Sequence, residues 1–175
     1  MRSKIDIEKS IEKKKFVPAS LYFKIIDYFN YSFFALVFIT CIIGPTIGNP
    51  IKIDLFKIIL IFLILGLLYY VIVTLMKMDH FSSINNHKYI CNKNFFLDLA
   101  EEKKWRLINE YENVFIFNAN QRFSHERQVT IILFNELIFV NVMSLGKYDI
   151  KTTLYIRKDK EVLSQIVEKI KKNAT

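Results

Sequence analysis

The chain has 175 residues, 52% of them hydrophobic, with 25 Lys and Arg against 17 Asp and Glu and a formal net charge of +8. So apolar a chain is not intrinsically disordered, and 2 cysteines in this length do not make a disulfide scaffold. The positive excess is spread out, seven bases against four acids in residues 1–27 and sixteen against twelve in residues 77–175, so no polybasic arm forms and nucleic acid is not an expected partner.

Residues 1–17 mix Ile5, Ile7, Ile11 and Phe16 with Lys and Glu, a weakly amphipathic pattern that suits a membrane surface or a disordered lead. Pro18 separates this stretch from a helix whose N-cap candidate is Ser20 and whose Leu21, Tyr22, Ile25, Ile26 and Phe29 recur at helical spacing. That helix runs into the first of two charge-free stretches, residues 28–51 and 58–76. At 1.5 Å per helical residue each is roughly as long as the 30 Å hydrocarbon core of a bilayer is thick. Between them a short connection carries Lys52, Asp54 and Lys57.

The pattern predicts a transmembrane helical hairpin followed by an α+β domain. Residues 1–27 form an N-terminal amphipathic segment, 28–77 the two-helix hairpin, 78–92 a linker and 93–175 the α+β domain. Lys and Arg crowd the outer ends of the two runs and only Lys52 and Lys57 lie in the connection, which by the positive-inside rule places both termini in the cytoplasm of a multi-pass inner-membrane protein. Tyr22, Tyr28 and Tyr31 on the first helix and Tyr69 and Tyr70 on the second then fall at one level, as membrane-interface aromatics. Gly44, Pro45, Gly48, Asn49 and Pro50 predict that the first helix ends or kinks near Gly44.

In the tail, Asn94 is a cap for a helix over residues 95–104, and strands are predicted over 105–111 and 114–118 around a turn at Glu112 and Asn113. A polar loop over 120–127 leads to the clearest hairpin, 128–135 and 136–143, turning at Asn135 and Glu136. Residues 150–156 add an edge strand. Asp159 caps a closing helix with the apolar stripe Val162, Leu163, Ile166, Val167 and Ile170. The predicted order is α-β-β-β-β-(β)-α, with helices on one face. Its core holds Phe96, Leu99, Trp105, Ile131, Leu133, Ile138, Val140, Leu163, Ile166 and Ile170.

The hairpin Val129-Thr-Ile-Ile-Leu-Phe-Asn-Glu-Leu-Ile-Phe-Val-Asn141, the passage Glu101-Glu-Lys-Lys-Trp-Arg-Leu-Ile-Asn-Glu110 and Arg157-Lys-Asp-Lys-Glu-Val162 carry a resemblance. Residues 95–170 resemble the tail domain of small bacterial membrane proteins of no assigned activity that carry hydrophobic spans ahead of it. The resemblance implies architecture and no functional residue. Where that group has a Trp-, Gly- and Ser-rich loop before the hairpin, this chain has Arg122-Phe-Ser-His-Glu-Arg127.

The chemistry-bearing residues are few. His80, His87 and Cys91 lack the second ligand pair a structural zinc site uses, and the 4 glycines assemble no phosphate loop, so neither metal nor cofactor is expected. Arg122, His125 and Arg127 form a candidate contact for an anion or an acidic partner, without the nucleophile or paired carboxylates of a catalytic centre. The expected function is a membrane-anchored, non-enzymatic binding or scaffolding protein, contacting membrane lipid and a protein partner or a second copy of itself. The alternative is a membrane-linked enzyme or accessory subunit with a site near residues 120–127.

Overall fold

The computed structural model describes residues 5–47, 55–86, 91–120, 126–146, 150–152 and 155–173, with part of the side chains in the two long helices. Among the described residues the elements follow in the order α1 (Ile7–Glu12), α2 (Leu21–Ile47), α3 (Leu55–Lys77), β1 (Ser82–Asn85), α4 (Lys93–Glu102), β2 (Arg106–Tyr111), β3 (Val114–Asn120), β4 (Glu126–Phe134), β5 (Leu137–Leu145) and α5 (Ile156–Lys172). The strands make one antiparallel sheet in the order β1-β5-β4-β3-β2.

The central hairpin pairs Ile131 with Val140 and Phe134 with Leu137 across a turn at Asn135 and Glu136. Asn135 takes φ 50°, a left-handed conformation that its short polar side chain tolerates. Successive side chains alternate between two faces, and both are covered. On the first face Phe115, Phe117, Val129, Ile131, Ile138 and Val140 pack with Phe96 and Leu99 of α4 and Ile166 and Ile170 of α5. On the second, Val114, Ile116, Ile132, Phe139, Met143 and Leu145 pack with Ile5, Phe16, Leu75, Met78 and Phe81.

The cover on the second face departs from the sequence expectation of helices on one side only. Strands buried on both faces read as near-continuous apolar runs, and residues 131–134 and 137–140 are such runs. The N-terminal segment is part of this cover. Asp6 caps α1 by accepting from Lys9 N–H at 3.2 Å, Phe16 N–H donates to Asp79 O at 2.6 Å, and Ile5 N–H donates to the Tyr111 hydroxyl at 2.8 Å. Residues 82–85, expected within a linker, form the edge strand β1.

The transmembrane hairpin is overturned. Among the described residues no helix is long and apolar enough to cross a membrane. The multi-pass inner-membrane placement, which rested on that hairpin, goes with it. The charge-free runs were measured as if all of each faced lipid, whereas the end of the second belongs to the protein interior: Thr74 is 6% exposed and Leu75 2%. The first helix does not end near Gly44 as expected but continues through Gly44 and Pro45 to Ile47; Gly48, Asn49 and Pro50 lie outside the described residues.

Two helix starts also move. Asn92, not Asn94, caps α4, its Oδ1 accepting from Phe95 N–H at 3.1 Å. The cap position of α5 is Tyr155, which makes no side-chain cap bond, and Asp159 turns inward to the sheet instead. Residues 150–156 form no edge strand among those described; Lys151 makes a single bridge to Leu145.

The α4 terminus is a Schellman motif, with Trp105 N–H on Ala100 O at 2.7 Å and Lys104 N–H on Glu101 O at 2.9 Å. Lys104 occupies the left-handed position at φ 56°, where glycine is free of the Cβ clash. Lys104→Gly should therefore raise the unfolding free energy by about 1 kcal/mol, read from urea unfolding of the full chain. A loss of stability would contradict the motif.

Candidate functional site

Two buried ionic clusters fix the positions of the elements. In the first, Asp159 Oδ1 accepts from Arg127 Nε at 2.7 Å and from the Ser144 hydroxyl at 2.7 Å, while Oδ2 accepts from Ser144 N–H at 3.0 Å. The cluster joins α5 to β4 and β5. Arg127, expected in an exposed loop, is 7% exposed within β4, and its Nη2 is buried with no hydrogen-bond partner among the described residues. Its companions in the candidate anion contact, Arg122 and His125, lie outside the described residues. The structure therefore brings Arg127 to Asp159 rather than to a surface.

In the second cluster Lys151 Nζ stands 3.1 Å from Asp27 Oδ2 and 2.5 Å from Asp79 Oδ2. Asp27 belongs to α2, Asp79 follows α3, and Lys151 follows β5. One ammonium thus binds both long helices to the sheet. Beside it Asn141 Nδ2 donates to Met78 O at 2.8 Å and to His80 O at 3.0 Å, holding the chain as it leaves α3. Sequence reading missed these residues, although Asp27 gave a signal: it is the one acid in the apolar helical pattern of residues 21–29, where a carboxylate needs a partner.

Beyond this joint the helix pair displays large apolar side chains. Tyr28 is 73% exposed, Phe29 71% and Tyr69 73%, and Tyr22, Tyr70, Leu63 and Leu67 are exposed as well. Isolated exposed hydrophobics are ordinary, whereas here they recur on turn after turn of two helices. Four of the five expected interface tyrosines are thus outward-facing; nothing is described of the surroundings of Tyr31. Within α2, Thr40 turns its hydroxyl back to Val37 O at 2.9 Å, so the surface keeps little polar character.

Below the apolar turns lie cations. Lys13, Lys14 and Lys15 are exposed in the turn after α1, and Lys77 is exposed at the end of α3. The backbone sets them side by side: Phe81 N–H donates to Lys14 O at 3.0 Å, Lys15 bridges His80, and His80 N–H donates to Lys77 O at 3.2 Å. Lys24, in the first turns of α2, is close enough to Asp6 to help Lys9 hold that carboxyl below its usual range.

Among the described residues no group of three His, Cys, Asp or Glu side chains is placed to hold a metal ion. Cys91 is buried and its thiol is pushed up by burial, which disfavours the thiolate a metal would need. The shallow groove of about 480 Å³ between α1 and the β2–β3 and β4 strand ends is lined by Asp6, Glu8, Glu112 and Phe134 without a convergent reactive set. No family model, curated protein or solved structure matches the chain, and the resemblance of residues 95–170 gains nothing from those comparisons.

Two outcomes test the clusters. Lys151→Met removes the cation from two largely buried carboxylates and should cost about 3 kcal/mol or more in denaturant unfolding, with most of it restored by adding Asp27→Asn and Asp79→Asn. Equal destabilisation in the triple variant would show that the ion triad is not the cause. For Asp159, burial is the leading influence and raises the carboxyl above its ordinary 3.8, against the hydrogen bonds from Arg127 and Ser144. The folded chain then keeps this proton to higher pH than the unfolded chain, so the group's contribution to stability is complete below the unfolded pKa and is lost as pH rises through the folded one. The stability of the wild type relative to Asp159→Asn should decline from about pH 4 towards neutrality; a rising difference would mean that the ion pair outweighs burial.

Proposed function

We propose that the chain is a non-enzymatic binding and scaffolding protein whose helix pair contacts lipid and whose sheet domain is the rigid base that presents it. The observation that carries this reading is the exposure of Tyr28, Phe29, Leu63, Leu67 and Tyr69 on successive helices that hold few polar groups. A helix apolar around most of its circumference is covered by something apolar on several sides, which acyl chains do and a single protein face does not. The reading requires contact with acyl chains and makes no use of passage through a bilayer.

Lipid contact also accords with where the charges stop. The ions of the helix pair's lower turns, Lys24, Asp27 and Lys77, lie at its root, and Asp27 is paired with Lys151, which it shares with Asp79. Between them and Lys57, at the far end of α3, the turns offer side chains that cost little to bring out of water.

Flotation with neutral phosphatidylcholine vesicles tests the reading. The purified full chain, exchanged from detergent, should rise with the vesicles. Phe29→Asp combined with Leu67→Asp should reduce the floated fraction at least tenfold, since each places a carboxylate among acyl chains at a cost of about 2 kcal/mol or more. A chain that stays at the bottom as a defined oligomer, its helix pair protected from proteolysis, would replace lipid by a second copy as the partner.

A further inference from the structure

We infer that the root of the helix pair recognises anionic phospholipid headgroups, an inference that rests on the lipid-contact reading and adds to it a preference among lipids. The argument comes from the order of side chains along the helices. Exposed cations stand at the root, Lys13, Lys14 and Lys15 in the turn after α1 and Lys77 at the end of α3. On α2 the exposed Tyr28 follows Lys24 by about one turn, with Phe33 and Leu36 beyond it, and on α3 the exposed Tyr70 and Tyr69 stand about two turns out from Lys77, with Leu63 and Phe62 beyond them. Cation, amphipathic ring and aliphatic chain follow each other as phosphate, glycerol region and acyl chain do in a phospholipid layer.

The cations are available for such a contact. The acids nearby are largely engaged or outnumbered: Asp27 and Asp79 share Lys151, Asp6 is bound by Lys9, and Glu12 alone stands in the turn with Lys13, Lys14 and Lys15. No ion pair ties Lys13, Lys14, Lys15 or Lys77 to another described residue. The four ammonium groups stand against Glu12 and the one net negative charge of the Asp27–Asp79–Lys151 triad, which leaves a net positive collar at the level where headgroups lie. The turn is fixed, too: Lys14 at φ 48° and its carbonyl bound by Phe81 N–H hold the three lysines against the sheet domain. An acidic protein surface could answer the cations, but it would leave the adjoining apolar turns in water, whereas an anionic phospholipid answers both.

The experiment compares vesicles of phosphatidylcholine with vesicles containing added phosphatidylglycerol, using the full chain and the triple variant Lys13→Gln, Lys15→Gln and Lys77→Gln. Lys14 is kept because its left-handed backbone position is sensitive to substitution. The wild type should bind the anionic vesicles more tightly, with the preference shrinking as salt is raised. The triple variant should lose roughly fivefold of that preference per lysine, on the order of a hundredfold in all, and keep its affinity for neutral vesicles. Equal, salt-independent binding to both vesicle types by the wild type would overturn the headgroup preference and leave lipid contact standing. Failure to bind either vesicle would overturn lipid contact itself. A variant that unfolds does not disturb the test, because composition and salt dependence are read on the wild type.

Discussion

The structure depends on a sheet that is apolar on both sides. Val114, Ile116, Ile132, Phe139 and Met143 on one face and Phe115, Phe117, Val129, Ile131 and Val140 on the other are almost wholly withdrawn from water. At roughly 25 cal/mol per Å² of apolar surface, leaving either face wet would cost more than a domain of this size has in net stability. One face is covered by α4 and α5. The other has no long amphipathic helix to cover it and uses what lies on both sides of the helix pair in sequence, the segment around Ile5 and Phe16 and the passage from Leu75 to Phe81.

That solution makes the helix pair an insertion within the sheet domain rather than an anchor placed ahead of it. The charges follow from the same geometry. Where two helices enter and leave a buried layer, polar groups are drawn in with them, and Lys151 between Asp27 and Asp79 with Asn141 on the neighbouring carbonyls satisfies most of them. Such a cluster contributes less to net stability than to uniqueness, because any other register strands a charge. Asp159 with Arg127 and Ser144 has the same effect at the opposite face, fixing the start of α5 over the β4–β5 end.

The tail was legible in the sequence where local rules decide. The turns at residues 112–113 and 135–136 and the stripe Ile166 and Ile170 follow from period and turn chemistry and stand where those rules put them. The errors share one cause, the use of local signals where a distant partner decides. Thr74 and Leu75 look like any residues of a charge-free run, and only the sheet 40 or more residues later makes them interior. Asp159 has the residue type of a helix cap, yet the hydroxyl and amide of Ser144 compete successfully for its carboxylate. Arg127 follows a polar stretch, and nothing local distinguishes it from a loop arginine. No local pattern says that the lysines at 13–15 come to rest beside Lys77.

The closure of the second face has a temporal side. Ile5 N–H finds its acceptor on Tyr111, 106 residues later in the chain. During synthesis the N-terminal segment and both long helices leave the ribosome well before β3, β4 and β5 exist, so the strap cannot dock until most of the polypeptide has been made. The helix pair is therefore made while the sheet is still incomplete, and the high contact order of the strap makes the closing of the sheet domain a late event.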